Sequence, residues 1–243
     1  MVNIIEIENR EAKKRLSDLY SIGGVISLNL FEIQVNYLGE LPSDDYLAHL
    51  IVARQTVEKC NYEANVHWNK VALKNSRNHL PIALTDFDLL DSSGEKISLE
   101  NFLGPYFDLQ TNKPYIRGKL GNDTLNSYFY YDTIEAIDNK VDMNSKVEMF
   151  RQKYQNNSGS FIYALMEPPY SLQLDKNIRL RGQYLLEFMN FFFDDLNKIE
   201  IYTWSTECSS IFEVGKEWWG SFFWTVYNPI KNWYVGITAS TTD

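Results

Sequence analysis

Near the end of the chain, Glu217 to Pro229 reads EWWGSFFWTVYNP, and no other segment limits the fold as much. Read as a strand, it puts Phe222, Trp224 and Val226 on one face and Trp219, Phe223 and Tyr227 on the other, since side chains alternate along an extended backbone. A strand with aromatic rings on both faces cannot stay in water. It lies between two layers, or it meets a partner. Five of the six tryptophans (Trp204, Trp218, Trp219, Trp224 and Trp233) fall in the last forty residues. Asn228 to Asn232 forms a turn, after which Trp233, Val235, Ile237 and Ala239 return on one face, opposed by Tyr234, Gly236, Thr238 and Ser240. That alternation predicts a second strand with one wet face, closing a C-terminal aromatic-rich β-hairpin.

The remaining periodicities mix helix and strand. Ala12, Leu16 and Leu19 predict a helix over 10–20, with Asn9 able to cap it and Gly23-Gly24 breaking it. Val25 to Leu38 reads as a strand. Pro42-Ser43-Asp44 opens a long helix to about Asn65, with Tyr46, Leu50, Ala53, Val57 and Cys60 on its buried stripe. Ala83–Leu90 and Lys96–Leu99 flank a turn at Asp91 to Gly94 and predict a hairpin. Tyr128 to Tyr131 opens a second half, Met143 to Tyr154 reads as a helix, Phe161 to Met166 as a buried strand and Ile178 to Leu196 as a largely buried helix. Ile199 to Trp204 is a further strand. The expected class is α+β, a mostly antiparallel sheet packed against several helices. The expected organisation is one globular domain over 1–243, with any subdomain boundary inside the loop-rich stretch 100–126.

The net charge is -9. Phosphate binding rests on Lys and Arg, so this balance argues against a chain whose work is to hold DNA or RNA. Within 182–230, seven acids (Glu187, Asp194, Asp195, Glu200, Glu207, Glu213 and Glu217) face two lysines, Lys198 and Lys216. Such a run reads as a solvated surface or as an acidic docking face. The amino-terminal residues carry no apolar run preceded by positive charge, and no stretch reaches roughly 18 apolar residues. The expectation is therefore a cytoplasmic chain with no membrane partner. Two cysteines, Cys60 and Cys208, are too few for a disulfide scaffold and read as reduced thiols.

Chemistry-bearing patterns are sparse. His49, His67 and His79 form no metal-binding spacing, so no metal and no cofactor are expected. Cys208, in the polar run Thr206 to Ser210, is the residue a nucleophilic hydrolase would use, although no base or oxyanion group is nominated beside it. Asp86 and Asp88 would share a strand face, as a carboxylate pair for hydrolysis requires. Arg179 and Arg181, at a helix start, offer an anion site; pairing with Asp175 or Glu187 is the plainer alternative. Exposed, coplanar Trp or Tyr rings would instead make a carbohydrate-binding module.

The end of the chain, IEIYTWSTECSS with EWWGSFFWTVYNP, NWYVGITAS and the closing TTD, resembles bacterial immunity proteins of polymorphic or contact-dependent toxin systems. The resemblance covers about the last forty residues and carries no catalytic residue. It implies a non-enzymatic protein that binds a cognate toxin domain and occludes its active site. The face expected to do so includes Asp194, Asp195, Glu207, Glu213 and Glu217, with acids standing in for substrate phosphates if the toxin is a nuclease.

Overall fold

The computed structural model describes residues 2–35, 45–75, 83–118, 127–130, 145, 149, 152, 160–217 and 219–241. In chain order its elements are β1 (Val2–Glu6), α1 (Arg10–Ser21), β2 (Ile26–Val35), α2 (Asp45–Lys74), α3 (Phe87–Ser93), β3 (Glu95–Lys96), α4 (Leu99–Leu103), a 3-10 turn (Gly104–Tyr106), β4 (Phe107–Asp108), β5 (Lys113–Gly118) and β6 (Ser127–Tyr130). They continue with α5 (Phe161–Met166), α6 (Ile178–Phe193), β7 (Glu200–Thr203), two 3-10 turns (Thr206–Cys208 and Ser210–Phe212), α7 (Glu213–Lys216), β8 (Ser221–Asn228) and β9 (Trp233–Ser240). The class is α+β.

The chain divides into two compact units, each assembled from separated segments. Unit 1 takes Met1–Arg10, Ile26–Ile97 and Lys198–Asp243; unit 2 takes Glu11–Val25 and Ser98–Asn197.

Unit 1 is built on a six-stranded antiparallel sheet of order β1-β2-β9-β8-β7-β3. The C-terminal hairpin supplies its centre: β8 pairs β9 from Ser221↔Ser240 to Asn228↔Trp233. Helix α2 packs against β8 and β9. Its Ala53 and Val57 join Tyr202, Trp204, Cys208, Phe212 and Phe223 in one core cluster, and its Ala48 and Val52 join Phe31 and Ile33 in another. On the other face of the hairpin, Phe222, Trp224, Val226, Val235 and Ile237 are also buried. Both faces of β8 are therefore out of water, as its composition demands.

Unit 2 carries the three-stranded sheet β4-β5-β6, with α6 packed against β5. Its core is largely phenylalanine. Phe102 stacks on Phe161 at 5.0 Å, Phe193 meets Phe161 edge-on at 5.1 Å, and Phe188 lies 4.8 Å from Phe192. Such offset and edge-on pairs add about 0.5–1.5 kcal/mol each beyond the area they bury. Gly23, at φ +94°, lets the chain leave α1, and Gln173 N donates to Ile22 O at 2.8 Å.

Several sequence expectations need correction. The hairpin over 83–99 does not form. Asp86 accepts a hydrogen bond from Leu89 N and caps α3, so Phe87–Ser93 is helical and only Glu95-Lys96 pairs as a strand. Phe161–Met166 is a helix capped by Ser160, not a strand; six apolar residues in a row do not distinguish the two. The face of β9 expected to be wet is covered by α2, with Gly236 and Thr238 buried. Strand β1 was not anticipated, and α2 runs on to Lys74. The opening Pro42-Ser43-Asp44 lies outside the described residues. So does most of Met143–Tyr154, of which Ser145, Met149 and Gln152 are described and helical.

Candidate functional site

Asp194 and Asp195 sit where α6 ends. The helix closes as Asp194 adopts φ +54°, with its N–H donating to Asn190 O at 3.1 Å. With ψ at -101° this is a sparsely populated conformation for a residue with a Cβ, costing about 1–3 kcal/mol, and it turns the chain sharply. Asp195 Oδ1 then accepts from Asn197 N at 3.1 Å, which fixes the turn. The facing wall comes from the β4–β5 turn. Asp108 Oδ1 accepts from Gln110 N at 2.9 Å, and Tyr130 Oη donates to Asp108 Oδ2 at 2.5 Å. That tyrosine bond holds the Asp108 carboxyl below the ordinary carboxylate range. Asn112, at φ +56°, completes the turn.

Between these walls, within unit 2, lies a cleft of about 450 Å³. Buried Phe107 and Met189, with Leu186 and Leu196, make it partly apolar, while Glu187, Asp194 and Asp195 supply three carboxylates. Among the described residues lining it there is no Lys or Arg. A site of this kind suits a long basic side chain: the carboxylates meet its charge and the apolar surface its methylene stem.

The other acids of the expected face belong to unit 1. Glu207 and Glu213 are exposed, and each carboxylate lies 2.8 Å from Lys216 Nζ. Glu217 is exposed. The expected set thus divides into a pair at the unit 2 cleft and a group around Lys216 in unit 1.

Neither residue set suggested for hydrolysis is arranged for it. Cys208 is fully buried in the aromatic cluster of unit 1, and burial pushes its thiol up to about 11. A nucleophilic cysteine needs the opposite shift. Cys60 is likewise pushed up to about 11, with Sγ 3.4 Å from Thr238 Oγ1. Asp86 is committed to its cap, and Asp88 lies within the first turn of α3, so they do not share a strand face. Of the rings a sugar platform would use, Trp68 on α2 is 41% exposed and Tyr62 and Tyr170 are also exposed, whereas Trp204, Trp219, Trp224 and Trp233 are buried. Their sequence signal was the two-faced pattern, and core packing explains it. No group of three or more His, Cys, Asp or Glu among the described residues could hold a metal ion, and no described helix is long and apolar enough to cross a membrane.

The sequence did not single out the cleft itself. Asn112, Phe107 and Met189 reach it from parts of the chain with no shared pattern, so no local signal marks them. No known protein family, curated protein or solved structure matches the chain.

Proposed function

We propose that this chain is a non-enzymatic binding protein of the immunity type, which docks on a cognate toxin domain and covers its active site. The observation that carries the reading is the acidic cleft at the end of α6. Glu187, Asp194 and Asp195 rim an apolar floor with no lysine or arginine among its described lining residues. A basic side chain of the partner, of the sort that handles phosphates in a nuclease, fits that lining. The partner docks through the cleft, and the bulk of the chain excludes substrate.

The test begins by capturing the partner with tagged protein from lysate of the source organism, at low and then high salt. The captured domain is then made pure and its association measured against variants. Asp194→Lys combined with Asp195→Lys is expected to slow association about tenfold or more and to flatten its salt dependence. Glu207→Lys combined with Glu213→Lys, placed around Lys216 in unit 1 and away from the cleft, is expected to do less. Unchanged association for the Asp194/Asp195 variant would defeat the cleft as the docking site. Failure of any purified partner to lose activity on binding would defeat the immunity reading.

A further inference from the structure

Unit 2 holds a second cavity, of about 240 Å³, at the amino-terminal turn of α6 and separate in its lining residues from the acidic cleft. Arg117, Glu167, Lys176 and Arg181 line it, together with apolar Met166, Leu172 and Leu174. Its chemistry is set by Arg181, which is only 9% exposed. Its Nε is sealed from water and has no hydrogen-bond partner. The pairings expected for it are taken up elsewhere: Glu187 Oε1 accepts from Gln183 Nε2 at 2.7 Å, and Asp175 Oδ1 accepts from Asn177 N at 2.7 Å. The nearby carboxylate is Glu167, and it is engaged. Arg117 Nη1 donates to Glu167 Oε2 at 3.1 Å, and the Tyr128 hydroxyl bonds the same carboxylate.

A guanidinium buried with an unmet donor is costly, and deprotonation does not relieve it, because arginine keeps its charge in proteins. Among the lining residues three cations face one carboxylate, so two positive charges are in excess. The positive end of the α6 dipole acts in the same direction; Asn177, which caps that helix, sits between Lys176 and the first turn. The volume is small beside the roughly 300–1,000 Å³ of drug-sized sites, which suits a compact ligand.

We propose that this cavity binds a dianionic phosphate group, either free or as a small phosphomonoester. Arg181 grips the phosphate oxygens from inside, Lys176 closes over them from the exposed rim, and Arg117 divides its charge between the ligand and Glu167. Met166, Leu172 and Leu174 provide the wall for an organic substituent. The site is independent of the docking reading, since it needs no protein partner.

The test is calorimetry and thermal unfolding of the full chain at pH 7.5, with inorganic phosphate and glycerol phosphate each titrated against sodium chloride of equal ionic strength. Saturable binding and a rise in unfolding temperature beyond that given by chloride are expected. Tighter binding of glycerol phosphate assigns the site to a phosphomonoester; equal binding assigns it to free phosphate. Arg181→Met should weaken binding roughly tenfold or more, and Arg181→Lys less, since charge remains but the planar fork is lost. Lys176→Met, at an exposed position, should fold normally and still weaken binding severalfold. Stabilisation no greater than chloride gives would overturn the proposal. So would phosphate binding that neither Arg181→Met nor Lys176→Met reduces.

Discussion

His49 shows how one buried side chain ties the stability of unit 1 to pH. It lies on α2 under the sheet, 1% exposed, with Nδ1 2.8 Å from Thr225 Oγ1 and its ring 4.4 Å from that of Tyr202. Burial pushes its pKa down to about 3, the largest of the influences on it; Asp45 opposes the shift and Lys96 adds to it. In the unfolded chain the ring titrates near 6.5. Between those values the unfolded state holds a proton that the folded state refuses, so stability present above pH 6.5 is lost as pH falls toward 3. The full effect is on the order of 5 kcal/mol. His49→Gln is expected to lower stability at pH 7, where a buried hydrogen bond is disturbed, yet to flatten its decline below pH 6.5. Urea unfolding at a series of pH values measures both. An unchanged slope would mean that carboxylates alone set the acid limb.

Helix α2 and the C-terminal hairpin are the elements on which unit 1 depends, and they meet closely at Gly236. A Cβ built there would stand 1.8 Å from Thr56 Oγ1, which itself donates to Val52 O at 2.7 Å. Gly236→Ala must therefore push helix from sheet, at a cost of about 1–3 kcal/mol or more. Adding Thr56→Ala removes the oxygen and should recover part of the loss in a double-mutant cycle followed by thermal unfolding. Full additivity of the two changes would mean that the contact is not the cause. The same contact explains what the sequence hid. The alternation in β8 was legible because both its faces carry large apolar groups. The Tyr234-Gly236-Thr238 face of β9 looked wet because glycine and threonine carry no apolar signal, yet that smallness is what admits α2. The acidic residues at the end of α6 were legible as charge. Their meeting with Phe107 and Asn112 was not, because it depends on how β4 and the β4–β5 turn pack in unit 2. Asp86 read as a strand acid because its capping bond to Leu89 N is local and leaves no periodic trace.

For the molecule as a whole, the consequence lies in how the chain is divided. It passes between the two units at 10/11, 25/26, 97/98 and 197/198, so neither unit is one continuous stretch. In unit 1 the pairing of β2 with β9 joins Ile26 to Ala239 and waits for almost the whole chain to be present. Unit 2 has a simpler dependence. Its residues Ser98–Asn197 are contiguous, but α1 belongs to it as well, through fully buried Leu19, the Gln173–Ile22 hydrogen bond and the Arg15 guanidinium 4.8 Å from the Phe191 ring. Removing α1 uncovers the surface that Leu19 and Ala12 occupy, and a fully buried leucine alone is worth about 1.5–3 kcal/mol. A fragment of residues 98–197 is therefore expected to be loosely packed, with weak near-ultraviolet circular dichroism and ready binding of a hydrophobic dye. A peptide of residues 10–25 supplied in trans should restore the near-ultraviolet signal and expel the dye, and Leu19→Asp in that peptide should abolish the rescue. A fragment that is already rigid without the peptide would show that α1 is an accessory to unit 2 rather than part of its core.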